Sequence, residues 1–285
     1  MSKLSPSLKA LINAPFSRPG PLPAPAHTKE LFQSIAQDAA KKNLSPRSWL
    51  AISTATTFSL NSPDALPILH GVASAQQPKS DVRAAEFMRE VGLKCISFNG
   101  IPRSINCLNA FHASLPKSLT AQLSTTPSRQ STPENVTDGI ARGRRLWDSV
   151  YQPFEDKLYE KLGLAHPDLP VFILNHNYAG LLSDPPQSER GALASVGRVH
   201  TSLVAISCLR TQTGVGPQVL SHVFGLRKTL DDSSFKADPE GESEDAVRWL
   251  ATDEGGEWIL KTIDSIVEAM GGSNFAAAGA REAKL

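Results

Sequence analysis

The side chains able to do chemistry in this sequence fall at a few places. His222 lies in Val219-Leu220-Ser221-His222-Val223-Phe224-Gly225, with Arg227 five residues on from the histidine. A histidine that titrates near neutrality can deliver or accept a proton, and a guanidinium can grip a carboxylate through two parallel hydrogen bonds. Regular helix geometry puts Arg227 off the His222 face. The two meet only if Gly225 ends the helix and lets the long side chain swing back. A second histidine, His70, stands in Leu66-Pro67-Ile68-Leu69-His70-Gly71. Asn109 and His112 form an i, i+3 pair on one helix face, with Arg103 earlier on the same helix. Asn175-His176-Asn177-Tyr178 is dense in donors and acceptors, and Tyr178 is its candidate to face a pocket. The competing reading of each is structural: a core histidine with satisfied nitrogens, helix-end hydrogen bonding, or a surface cation.

Cys95, Cys107 and Cys208 are too few and too irregularly spaced for a zinc site or a disulfide framework. Cys95 and Cys107 flank one turn. Cys95 also continues an apolar stripe with Phe87, Val91 and Phe98, which reads as a buried thiol rather than half of a redox pair. Arg142-Gly143-Arg144-Arg145 reads as a solvated helix start. Lysine and arginine number 29 against 28 acids, so no strong field draws nucleic acid or anionic lipid. The expected ligand is a small molecule, with no metal and no cofactor.

These residues need a frame, and the periodicity is helical throughout. From Ser80 to Phe98, apolar residues recur three or four apart and predict a core helix of about five turns capped by Ser80. Ser45-Pro46 opens another helix with a cap and a first-turn proline. Ser243 opens one that runs, interrupted at Gly255-Gly256, through Trp258, Ile259, Ile263 and Ile266 to stop at Gly271. No two-residue alternation bounded by hairpin turns is present, so the expected fold class is all-α. With 285 residues, 40% of them hydrophobic, the chain can bury a sizeable core.

The stretch from Thr120 to Asp138 is polar and reads as a linker between two similar halves. In each half an apolar helix, Trp49 to Phe58 or Leu203 to Leu209, precedes a short helix carrying a histidine, His70 or His222. The resulting plan is a Pro-rich arm over 1–26, a first half over 27–118, a linker over 119–139, a second half over 140–270 and a tail over 271–285.

The run from Glu90 through Phe98-Asn99-Gly100-Ile101-Pro102 to Ala110 resembles the helix and aromatic-x-Gly-x-Pro turn of the carboxymuconolactone decarboxylase family, within the AhpD-like superfamily of alkylhydroperoxidase relatives. Tyr178-Ala179-Gly180, Thr201 to Leu209, and His222 with Gly225 and Arg227 are similar to its later segments. The resemblance implies two tandem helical repeats packed as one unit, a homodimer, and sites between helices. It maps the family's histidine onto His222 and His70. The dithiol of the peroxidase branch is missing, because Val215 and Gln218 stand where Cys-x-x-Cys would, and the family's glutamate is replaced by Ser202 and Leu203. A cofactor-free lyase is therefore favoured over a thiol peroxidase. In it, His222 and His70 serve as proton donors, Arg227 holds the carboxylate, and Tyr178, Asn109, His112 and Arg103 contact substrate. The alternatives are a non-catalytic binding protein on the same fold and an atypical hydroperoxide reductase.

Ala283-Lys284-Leu285 ends the chain as a small-basic-leucine tripeptide, similar to the address read by the peroxisomal import receptor. The small residues before it suit a presented tail. The expected location is the peroxisome matrix. Prolines interrupt the first 26 residues, so a signal peptide is not expected, nor is a membrane span.

Overall fold

The computed structural model describes residues 4–14, 22–76, 80–238 and 240–273, and every regular element among them is helical. The terminal Ala283-Lys284-Leu285 lies outside the described residues, as does part of the proline-rich arm.

Two helices make the centre: α3, Pro46–Ser59, and α13, Arg198–Gln212, which pack along each other. All of α3 beyond its first two residues is buried, and in α13 only Arg210 and Gln212 escape burial. Helices wrapped on all sides have no polar stripe, and both are rich in serine and threonine. Three of these hydroxyls bond their own helix: Thr56 donates to the Ile52 carbonyl at 2.8 Å, Ser59 to Ala55 at 2.8 Å and Thr211 to Ser207 at 2.7 Å, whereas those of Ser53, Thr54, Thr57 and Ser207 are buried without a partner. Such i−4 bonds let a short polar side chain enter a core without an orphan donor.

Around this pair stand α2 (Thr28–Lys41), α4 (Ala65–Gln76), α5 (Asp81–Lys94), α7 (Ile101–Ser114) and α16 (Asp253–Ala269). Their apolar faces join Trp49, Phe58, Leu66, Phe87, Phe111, Leu203 and Ile263 in one core. A smaller core, Trp147, Leu174, Tyr178 and Leu182, lies between α9 (Val136–Tyr151) and a π-helix over Ile173–Leu182. Gly143 makes that contact close, because a side-chain carbon there would sit 2.5 Å from the Ala179 backbone. α14 (Gly216–Asp231) packs on both α13 and α9 and so brings the second histidine between the two cores.

Several expected boundaries move. The helix after Ser80 ends at Lys94, and a separate α6, Ile96–Asn99, follows Cys95. Ser243 does cap a helix, accepting from the Ala246 amide at 3.3 Å, but that helix, α15 (Glu244–Leu250), stops before the glycines. Thr252 then caps α16, accepting from Gly255 at 3.0 Å. Gly255 is interior to α16, where its missing side chain admits the Trp249 carbonyl and Leu250. Residues 119–139 do more than connect. Leu123 and Ser128 are buried, and Arg129 enters an internal ion network. His70 and His222 follow the starts of α3 and α13 at equal intervals. After them the two halves diverge, a long α5 in one and a 3-10 turn, Ser234–Ala237, with the short α15 in the other.

Candidate functional site

His222, on α14, is 7% exposed and enclosed by rings. Its imidazole meets Phe98 edge-on at 6.1 Å and Tyr151 at 6.1 Å between centroids. Tyr178, on the π-helix, donates its hydroxyl to that of Tyr151 at 3.1 Å, and Trp147 packs against both tyrosines. Burial raises both phenols above their ordinary pKa, so they stay protonated. The π-helix supplies one wide turn here, a local feature often found at functional sites.

Arg198, in the first turn of α13, stands beside this ring cluster and is 9% exposed. Its Nε donates to Ser149 Oγ at 2.7 Å, Nη1 to Ser202 Oγ at 2.6 Å, and Nη2 to the carbonyls of Ser149 at 3.0 Å and Gly225 at 2.7 Å. One of its five N–H groups is left over. Every partner is neutral. Among the described residues no carboxylate lies within ion-pair distance of this guanidinium. Burial lowers its pKa to about 10, which leaves it charged at neutral pH. Burial first, and the Arg198 charge second, push His222 down to about 4. His222 is therefore neutral at physiological pH, and its Nδ1 is buried with no hydrogen-bond partner.

The His222 chamber, bordered by Phe98, Leu146, Tyr178, Leu182, Arg198 and Thr201, has a volume of about 10 Å³, close to the least that holds one water. It is too small for a metabolite. Four of its residues, Leu146, Leu182, Arg198 and Thr201, also line an open cleft of about 490 Å³ between α9, the end of the π-helix and α13. That volume suits a small ligand. Arg142, Arg145 and Arg190 join Arg198 around the cleft, opposed by Asp184 and Asp238. The arginine run of α9 thus borders a cavity rather than simply opening a solvated helix. Within that run Arg144 is tied to Asp148 at 2.6 Å and to Asp156 at 2.7 Å.

Asp184 is spoken for by the protein. Its Oδ2 accepts from the amides of Gly197 at 2.6 Å and Val196 at 3.1 Å, closing the N-terminus of α13, and its Oδ1 lies 2.8 Å from Lys94 Nζ. Lys94 is fully buried and also donates to Thr201 Oγ1 at 2.9 Å and to the Leu182 carbonyl. Arg129 pairs with Glu90 at 2.8 Å and sits 3.9 Å from Asp184. Burial opposes ionisation of Asp184, but Lys94 and the Gly197 amide outweigh it and bring the carboxyl below its ordinary pKa. A second internal cluster sets the start of α3. Glu242 accepts from the Ser45 amide at 3.0 Å, Ser45 Oγ at 2.5 Å and Ser48 Oγ at 2.6 Å, with His200 Nε2 3.4 Å away. These partners overcome the cost of burial and hold Glu242 at about 2.

The other expected site residues lie apart. Arg227 does not fold back to His222, because Gly225 does not end the helix; α14 runs on to Asp231. Its side chain pairs with Asp253 at 2.5 Å, at the N-terminus of α16. His70 Nε2 is 3.0 Å from the Asp81 carbonyl, with Ser74 Oγ at 3.4 Å and Phe111 edge-on at 5.8 Å. Its setting is that of a partnered core histidine. Asn109 and His112 are exposed on α7, and Arg103 there donates to the Ser59 carbonyl. Cys95 faces Cys208 rather than Cys107, Sγ to Sγ 3.6 Å, and all three thiols are buried. Among the described residues, no group of three or more His, Cys, Asp or Glu side chains is placed to hold a metal ion, and no helix is long and apolar enough to cross a membrane. Sequence reading missed Lys94, inside a helix that read as core, and Arg198 and Glu242, which stand just before the segments it singled out.

The chain is 28% identical over 183 residues to Peroxisomal protein 2 of Saccharomyces cerevisiae (strain ATCC 204508 / S288c), an alignment covering 57% of this chain. The chain spans 58% of the length of that curated relative. No family model matches the sequence, and no solved structure matches it.

Proposed function

We propose that this is a peroxisome matrix protein that binds a small carboxylated metabolite in the cleft bordered by Arg198, Arg142 and Arg145. The observation that carries this reading is Arg198, a buried cation whose partners are all neutral. A buried charge that no carboxylate touches is costly; Asp232 acts on Arg198 only through space and through Ser149, and an anion in the adjoining cleft would meet it directly. A charge-assisted bond contributes about 1.5–3 kcal/mol. Location is supported by the similarity to a yeast protein named as peroxisomal and by the terminal Ala283-Lys284-Leu285, the segment proposed to meet the import receptor. Two tandem AhpD-like repeats and a homodimer remain part of the proposal, resting on the sequence resemblance.

The binding reading is favoured over the lyase. A neutral imidazole titrating near 4 is poorly suited to deliver a proton to carbon at neutral pH, and its chamber does not admit a substrate. One observation keeps the lyase as a second reading: the unpartnered Nδ1 of His222 lies one residue layer from the cleft. The hydroperoxide reductase is disfavoured, because burial raises the Cys95 and Cys107 thiols, the latter to about 12, and the thiolate is the reactive form.

Thermal unfolding across a panel of carboxylated lactones, keto acids, simple carboxylates and neutral esters separates these readings. Acids should raise the melting temperature and the matching esters should not. Equal response to acid and ester would remove the carboxylate site. Carbon dioxide release from a stabilising acid, absent in His222→Gln, would replace the binding reading with the lyase.

A further inference from the structure

A second cleft lies on the other side of the Gln187–Arg190 turn, α12. It has a volume of about 560 Å³ and runs between the start of α3, α4, the first turns of α5 and the segment 191–195. Leu50, Ala73, Val82, Phe87, Leu193 and Ala194 supply its apolar lining. Three of the arginines near it are paired with carboxylates. Arg47 lies over the Phe87 ring at 4.5 Å and pairs with Glu240 at 3.0 Å, Arg83 also bonds Glu240, and Arg89 pairs with Glu86 at 3.0 Å. Beside these bound charges the cleft offers apolar surface.

Gln187, Arg190 and Ser195 line both this cleft and the arginine-bordered one. Arg190 straps the turn between them, donating to the Pro185 carbonyl at 3.0 Å, the Leu193 carbonyl at 3.3 Å and Gln187 Oε1 at 2.7 Å. The two clefts therefore adjoin across this turn, one bordered by Arg198, Arg142 and Arg145 and the other lined by apolar side chains. We infer that the two clefts form a single bipartite site for an amphipathic acid, its carboxylate on Arg198, Arg142 and Arg145 and its hydrocarbon chain laid across α12 against Leu50, Phe87 and Leu193. This rests on the carboxylate-binding reading and specifies the class of acid.

The chain-length dependence of affinity tests it. Isothermal titration of the full-length protein with straight-chain saturated monocarboxylates, from acetate to dodecanoate and below their micelle concentrations, is compared with Ala194→Phe, which fills the apolar cleft, and Leu193→Ser, which removes lining. In the wild type, affinity should rise about fourfold per methylene once the chain passes α12. In either variant that increment should fall to near one, with acetate and butyrate binding unchanged. Leu193→Ser carries the comparison if Ala194→Phe does not fold. Short acids binding with no gain from length would overturn the bipartite site and leave the carboxylate reading standing. An increment that survives both variants, or dodecanol binding as tightly as dodecanoate, would also overturn it. Failure of every acid, short or long, would remove both.

Discussion

Arg198 illustrates how much depends on one guanidinium. Four hydrogen bonds to hydroxyls and carbonyls fix it, and its charge acts outward on the cleft and inward on His222. Because burial and that charge bring His222 to about 4, the histidine is neutral in the folded protein and titrates near 6.5 when unfolded. Its contribution to stability is complete above pH 6.5 and is lost as pH falls toward 4. The shift corresponds to on the order of 3 kcal/mol. Urea unfolding of His222→Gln should show a flatter dependence than wild type across that window, and parallel curves would contradict the assignment. The cysteines give a second residue-scale expectation. Folded protein should show no fast reaction with a disulfide reagent, and all three thiols should appear on denaturation, because each is buried and a buried apolar thiol resists ionisation.

At the scale of elements, the join between α9 and the π-helix is a close backbone contact near the site. Gly143→Ala would drive a methyl into the Ala179 backbone and cost about 1–3 kcal/mol, whereas Gly180→Ala, with open space around it, should be close to neutral. Thermal melts of the two variants compare them directly. The start of α3 depends on Glu242, whose stabilisation is present above pH 4.5 and declines as pH falls toward 2. Glu242→Gln should lower the melting temperature at pH 7 and narrow its gap from wild type as the pH falls through that range. Helix identity was legible here because caps and apolar spacing are local: Ser45-Pro46, Ser243 and Gly271 all mark real ends. The breaks at Cys95 and Ala251 were not, since an apolar stripe continues across a break without changing period. The π-helix was equally hidden, because its apolar residues carry no period distinct from an α-helix over so short a span.

For the whole molecule, fold class followed from the unbroken helical periodicity, whereas the position of His222 between two cores was not legible, because it depends on α14 packing on both α13 and α9. The candidate site was only half legible. His222 and Tyr178 both border one chamber, but the cation beside them is Arg198, at the start of a helix whose apolar stretch was read only from Leu203 to Leu209. Arg227 seemed nearer because it is nearer along the chain. Distance along the chain is a poor guide when the partner comes from another helix, and the same holds for Lys94 with Asp184, joined only after the fold closes. The central claim is that this fold presents an arginine-bordered cleft to a carboxylate. Titrating butyrate into wild type and into the Arg142→Ala, Arg145→Ala double variant, whose changes lie at the cleft rim, tests it most directly. The account predicts saturable binding to wild type that weakens at least tenfold in the variant and falls with added salt; the same affinity in both proteins, or no binding to wild type, would contradict it.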